Sequence, residues 1–287
     1  SKPYKRPSVD TAGMYRDPLS ATDTLAVSDT TNMGNLPWEK IFTDVQLQHL
    51  IRQGLEHNSD LKTAALRVSE AEARLMSSRL AFLPSLALSP QGTVSSFDKS
   101  AAQWSYQLPV VASWEIDLFG RLLNSKRGAK TALLQSEAYK QAVQTQVIAT
   151  IANYYYTLLM LDRQLAISEQ TAVNWQKNVD IMKNLKKAGN VNEAAVVQSE
   201  ANYYAIIASL SDIRQQISNT ENAMSVLLGQ APQMIARGTI EEQYLPTKLS
   251  TGIPVQMLSN RPDVRSAELA LAGSYYNTNV ARSAFYP

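Results

Sequence analysis

Cysteine is absent from the 287 residues, which excludes a disulfide framework and thiolate metal ligation and leaves the redox compartment unread. Histidine is almost as scarce. His49 and His57 are the only two, on one short amphipathic stretch and without thiol or acidic partners, so a structural or surface role is expected of both and no metal site. No run of about 18 apolar residues occurs, which excludes an ordinary transmembrane helix but not a membrane β-barrel. Positive charge is not in excess either. The 27 basic residues face 25 acidic ones, a formal net charge of +2, too little for a duplex nucleic-acid partner. No nucleophile elbow, glycine-rich phosphate loop or Ser-His-Asp context is found, and no carboxylates pair in an expected cleft. The chain is therefore not expected to be an enzyme or to need a cofactor. It opens at Ser1 without a Met or a charged-then-apolar leader, as a processed or trimmed chain would.

What is present divides by period. With 45% hydrophobic and 18% charged residues the chain can bury a large core in one or two domains. Residues 1–37 are rich in Pro, Ser, Thr and Asp without a sustained period, and read as an extended arm laid on something else. Thr43 or Asp44 then caps a helix with Leu47, Leu50, Ile51 and Leu55 on one face, and Asn58–Ser59 breaks the chain before a second helix. That helix runs through Leu61, Ala65, Val68, Ala71 and Leu75 to about Leu83, and Pro84 ends it.

From Trp104 to Leu118 the period becomes two. Trp104, Tyr106, Leu108, Val110, Ala112, Trp114, Ile116 and Leu118 occupy every even position, while the odd ones include Ser105, Gln107, Ser113, Glu115 and Asp117. The expected partner is Ser85–Ser96, with 97–103 as the hairpin loop. Two readings fit such a strand: a soluble sandwich with the apolar face inward, or a barrel with that face toward lipid and the polar one toward a lumen. Length and aromatics favour the barrel, since about 9–11 residues span a bilayer as a tilted strand and Trp104, Tyr106 and Trp114 suit its interfaces. Trp104, Tyr106, Leu108, Val110, Trp114 and Ile116 are the expected membrane-facing residues.

After Gly120 a helical pattern continues to about Lys187 without a proline, a span of roughly 100 Å at 1.5 Å per residue. A seam of Val143, Val147, Ile151, Tyr154, Leu158, Leu161, Leu165, Ser168, Ala172, Trp175, Val179 and Met182 steps by threes and fours. Gly189 and Asn190 turn the chain. A second seam follows through Val196, Ser199, Tyr203, Ile206, Leu210, Ile213, Ile217, Thr220, Met224 and Leu227 to Gly229. Two long antiparallel helices are thus expected, with their tip at 186–191. Small and polar residues in both seams suit a wall of helices with neighbours on both sides and water on one.

The end of the chain repeats its beginning. Asp60 and Asp263 lie 203 positions apart, and the same offset pairs Leu55 with Leu258, Ala64 with Ala267, Leu66 with Leu269, Arg79 with Arg282, Phe82 with Phe285 and Pro84 with Pro287. The expected organisation is an arm over 1–37, a first repeat over 38–253 and the start of a second over 254–287. Within the first repeat come helices at 43–83, a β-hairpin at 85–118, a helical hairpin at 120–229 and a connecting segment at 230–253.

Three motifs carry a resemblance: Tyr4-Lys5-Arg6-Pro7, then Trp114-Glu115-Ile116-Asp117-Leu118-Phe119-Gly120-Arg121, then Leu258-Ser259-Asn260-Arg261-Pro262-Asp263-Val264. Together they resemble the outer membrane efflux proteins, the TolC-like family, and most closely its OprM-like lipoprotein branch, over essentially the whole chain. The resemblance implies a mainly α fold with a β-hairpin: a long antiparallel helical hairpin as the wall of an α-barrel, plus two strands of a membrane β-barrel. It implies a homotrimer whose subunits each give four strands to a 12-stranded barrel, docked on a periplasmic adaptor and an inner-membrane transporter. It further implies an N-terminal lipid on a cysteine just before the present start, outer-membrane lipid contact, and a second strand pair and helical hairpin beyond Pro287. Rival expectations are the channel of a type I secretion system, which shares the fold, and a soluble coiled-coil scaffold or adaptor.

Lys183, Lys186, Lys187, Gly189, Asn190 and Val191 form the expected tip, where the resemblance places adaptor contact and gating. The competing structural explanation is that the lysines complement a helix C-terminus and Gly189 merely turns the chain. Asp117 and Gly120 are expected to turn strand into helix, and Arg261-Pro262-Asp263 to start one.

Overall fold

The computed structural model describes residues 2–8, 37–98, 100–244 and 261–286. The remainder of the arm, the rest of the connecting segment, Leu258–Asn260 of the third motif and Pro287 lie outside the described residues. The described elements are α1 (Trp38–Ile41), α2 (Val45–His57), α3 (Ser59–Leu80), β1 (Ser85–Leu88), β2 (Gln91–Ser95), β3 (Gln103–Gln107), β4 (Val110–Ser113), α4 (Arg121–Lys187), α5 (Glu193–Leu227), a 3₁₀ turn at Ile240–Glu242, and α6 (Pro262–Ser283). No described helix is long and apolar enough to cross a membrane. The chain forms two compact units, one from Ser1–Ala12, Ala64–Lys140 and Leu258–Pro287, the other from Gly13–Thr63 and Gln141–Met257.

The second unit holds the apolar core. Asp44 caps α2 by accepting the amides of Gln46 (2.8 Å) and Leu47 (3.2 Å), which fixes the helix so that Leu47, Leu50 and Ile51 point one way. They pack with Val147, Ile151, Ala152, Tyr155, Leu158 and Leu159 of α4, Met224 and Leu228 at the end of α5, and Ile235 beyond it. Each Val, Leu, Ile or Met side chain among them contributes about 1.5–3 kcal/mol on leaving water. The expected α4 seam is displaced at one point, where Tyr155 rather than Tyr154 is fully buried. Its hydroxyl needs a partner inside and finds Asp44, a bond that the neighbouring residue does not make. In α5 the buried Val196, Ser199, Leu210, Ile213 and Met224 fall on the expected seam, the buried Ser225 lies off it, and the small polar Ser199 bonds the Asn178 side chain at 3.0 Å.

Asn58 makes the break between α2 and α3 in two directions. Its carbonyl oxygen accepts the Leu61 amide at 3.0 Å, and its amide group donates to the Leu227 carbonyl at 3.2 Å, at 3% exposure. Where α5 ends, Gly229 has φ +66, and a Cβ there would stand 2.9 Å from the His57 carbonyl oxygen, so only glycine fits.

Residues 230–244 are strapped across this unit by polar contacts. The Arg237 guanidinium meets Asp162 through two bonds (2.5 and 2.8 Å) and Glu221 through a third (2.6 Å), and the Asp162 bonds are the main cause of its raised pKa. Tyr155 donates to Asp44 at 2.7 Å and accepts the Gly238 amide at 3.1 Å, while Gln243 donates to the same carboxylate at 2.8 Å. Burial alone would lift the Asp44 carboxyl. The bonds from Tyr155, Gln243, Leu47 and Gln46 together outweigh it and hold the group below its ordinary value of 3.8.

The first unit packs α3, the start of α4, and α6 through small residues, with Ala64, Ala71, Ala138 and Ala272 buried. Here α6 has the same 22-residue length as α3 and begins and ends 203 positions later at both boundaries. Against α6 lies the described part of the arm. Tyr4 donates its amide to the Tyr276 hydroxyl (3.2 Å), the Tyr275 hydroxyl donates to the Lys2 carbonyl (3.1 Å), and Arg6 pairs with Glu268 (2.8 Å).

Candidate functional site

The strand segment lies in the first unit. The expected single strand over 104–118 is two shorter ones, and its partner is likewise two, because Pro90 and Pro109 each remove a ladder donor. The pairing is nevertheless one hairpin. Ser85 faces Ser113, Leu88 faces Val110, Gln91 faces Gln107 and Ser95 faces Gln103, one antiparallel register on both sides of the prolines. The Ser89 amide donates to the Pro109 carbonyl (3.2 Å) at the gap and keeps the strands in step.

That register sorts side chains by parity. One face carries Leu86, Leu88, Val94, Trp104, Tyr106, Val110 and Ala112, with Leu108 beside them at the proline break. The opposite face carries Ser85, Gln91, Thr93, Ser95, Gln103, Ser105, Gln107 and Ser113, with the apolar pair Ala87 and Val111 among them. Leu86, Leu88 and Val94 were not singled out from sequence, since Pro90 and Gly92 interrupt the alternation of the first arm. Every strand residue is exposed, including Leu86 at 75% and Tyr106 at 76%. Trp104 and Tyr106 stack with ring centroids 6.3 Å apart.

Trp114 and Ile116 depart from expectation. Both are exposed, but pairing ends at Ser113 and neither sits in a strand. The Trp114 indole N–H donates to the Phe82 carbonyl (3.1 Å), and the chain then turns into α4. Gly120 adopts φ +78 at that turn, and the Asp117 carboxylate accepts the amides of Leu122 (3.1 Å) and Leu123 (2.8 Å). Glu115 grips Arg121 through both its oxygens, and this bond is the main cause of the raised Arg121 pKa. Phe119 stacks on Tyr286 at 4.9 Å.

The helical tip belongs to the second unit. Gly189 has φ +75, its amide bonds the Lys186 carbonyl, and the Asn190 amide bonds the Leu185 carbonyl, each at 2.9 Å. These two bonds make a Schellman stop for α4. Asn192 then caps α5 by accepting the Ala195 amide (3.1 Å). Lys183 pairs with Glu200 at 2.8 Å, which raises its pKa, and Lys186 pairs with Glu193, so both lysines staple one helix to the other. Lys187, Gly189 and Asn190 are exposed, and Val191 is half-buried. His57 turns its ring to the Gln53 carbonyl, and among the described residues no group of three His, Asp or Glu side chains is arranged to hold a metal.

A two-faced hairpin thus feeds a 67-residue helix and its 35-residue antiparallel partner. Residues 50–230 match the outer membrane efflux protein family, and the chain belongs to that family. It is 29% identical over 287 residues to the cation efflux system protein CusC of Escherichia coli, covering 99% of this chain and 62% of that one. The probable outer membrane lipoprotein SilC of Salmonella typhimurium is 27% identical over 254 residues, covering 87% and 55%. A crystal structure of CusC, solved in work on folding and transmembrane channel formation, superposes with a TM-score of 0.78 at 28% identity, covering 88% of this chain and 59% of that one. The fold is therefore that of the TolC-like channels, and the protein is one of the outer membrane. The chain spans about three fifths of the length of these relatives.

Proposed function

We propose that this chain supplies outer-membrane strands and a length of periplasmic tube to a passive efflux channel. The reading rests on the hairpin's register: an apolar face and a polar face, both uncovered, are what a strand pair between lipid and a water-filled lumen requires. The apolar band meets outer-membrane lipid, and a lipid on the native N-terminus adds a second attachment.

Subunits assemble as a homotrimer, each giving four strands to a 12-stranded barrel, two of them those of this hairpin. Residues 254–287 open a second copy of the unit formed by 38–253, a reading supported by the common 203-residue offset of α3 and α6. The tube docks on a periplasmic adaptor and an inner-membrane transporter, which supplies the energy. The tip takes part through Lys187, Gly189, Asn190 and Val191, while Lys183 and Lys186 hold its shape. No catalytic step is involved. Cations are the first solutes to assay, since one relative is named for cation efflux.

Envelope fractionation of the native protein tests the channel reading. A trimer released from the outer membrane only by detergent is expected, and a soluble pool would sink the proposal. For the tip, Lys187→Glu and Gly189→Val are expected to reduce crosslinking to the adaptor. Unchanged crosslinking and efflux would remove that assignment.

A further inference from the structure

We propose that the polar face of the hairpin is an electrically neutral stretch of lumen wall, built mainly of amide and hydroxyl groups, which passes solutes without sorting them by the sign of their charge. The inference rests on the channel reading above and adds a property of the wall that neither the family nor the relatives specify. Register brings Gln91 opposite Gln107, Thr93 opposite Ser105 and Ser95 opposite Gln103, Ser85 meets Ser113 with hydroxyl oxygens 2.6 Å apart, and Ala87 opposite Val111 is the one apolar pair of this face. No Asp, Glu, Lys or Arg occurs in residues 85–97 or 100–113, so neither face of the paired strands carries a charge. The first charges beyond β4 are already engaged: Glu115 with Arg121, and Asp117 with two helix amides.

Fixed charges of one sign in a low-dielectric channel enrich the opposite ion, an effect reaching about a Debye length, ~8–10 Å in physiological salt. Gln, Ser and Thr instead offer oxygens to cations and N–H or O–H groups to anions, and favour neither. The neutral wall covers the strand length from Ser85 to Ser95, about 33 Å at ~3.3 Å per residue. Solutes suited to it are polar or amphiphilic molecules of either charge. Any preference for one sign must be set elsewhere along the conduit.

The test is reversal potential in planar bilayers under a potassium chloride gradient, with the native protein and its Gln107→Glu and Gln107→Lys variants. The expected result is two shifts of similar size and opposite sign, toward cations for Glu and toward anions for Lys. Conducting variants whose potential does not move, or moves for one sign only, overturn the proposal. A native protein that forms no channel at all overturns the channel reading instead. Should the charged variants fail to insert, Gln107→Cys is expected to react with both sulfonate and trimethylammonium thiol reagents, at rates in the same ratio as for a free thiol. A strong preference for one reagent, or reaction of Val110→Cys instead, would again overturn it.

Discussion

The β-hairpin and the α2–α4–α5 core are both rich in apolar side chains, yet they treat them in opposite ways. In the core Leu47, Ile51, Ile151, Tyr155, Leu158 and Met224 are completely shielded, because amphipathic helices close on one another with their stripes inward. In the hairpin Leu86, Tyr106, Val110 and Trp104 stand outward on one face, and among the described residues nothing covers them. A two-stranded ribbon in water is marginal on its own. On the proposed channel reading the solvent for that face is lipid. The core stores stability within the chain; the hairpin's apolar area contributes only once a bilayer or a partner takes it up.

Substitutions in the two regions should therefore fail in different assays. The largest effect is expected in the core, where Leu158→Ala removes a fully buried side chain and should cost about 2–5 kcal/mol in denaturant unfolding. A loss under about 1 kcal/mol would break the contrast, since it would show the core to be as open as the hairpin. Next, Val110→Lys on the apolar strand face should cost about 2–4 kcal/mol of membrane stability, read as lost outer-membrane assembly, and leave helical circular dichroism unchanged. The matching change on the polar face, Ser105→Lys, should assemble normally.

Intermediate effects belong to the polar strap. Arg237→Met leaves Asp162 and Glu221 facing each other's environment without a cation and should cost about 1–3 kcal/mol, with residues 230–244 becoming protease-sensitive. Asp44→Asn should cost about 1 kcal/mol through the weakened cap and latch. Because the Asp44 pKa is depressed in the folded state, its contribution is fully present above its ordinary value of 3.8 and is lost as pH falls through the lower folded value. Unfolding curves taken across that acid range should converge for the native protein and Asp44→Asn. The smallest effect is expected at the exposed Arg214–Glu169 pair, where Arg214→Ala should change stability by less than about 1 kcal/mol.

Much of this was legible in the sequence because it rests on local chemistry. Alternation over 104–112 located the second hairpin arm, Asn58 the helix break, Gly189 the tip turn, and Gly229 the end of α5. Three features were not legible, each for a definite reason. The even-position pattern runs on past Ser113 to Leu118, but periodicity cannot report that the Trp114 indole is drawn to the Phe82 carbonyl and ends the pairing. A seam written in heptads drifts against a 3.6-residue helix and cannot choose between neighbours such as Tyr154 and Tyr155. Apart from Arg237 and Glu221, 16 positions apart, the strap joins residues 75 to 199 positions apart, and nothing near Asp44, Asp162 or Arg237 in sequence names these partners.

The sequence alone determined the kind of element formed by the described helices and the hairpin, the 203-residue internal offset and the family, because period, capping residues and glycine positions act within a few residues of themselves. Tertiary structure decided the rest. It chose the register that collects Leu86, Leu88 and Val94 onto the same face as Trp104 and Tyr106, and it gave Tyr155 the buried hydroxyl bond to Asp44. It also left one apolar surface shielded and the other bare. Those outcomes depend on which distant groups meet, and a one-residue slip in pairing would have exchanged the two faces of the hairpin.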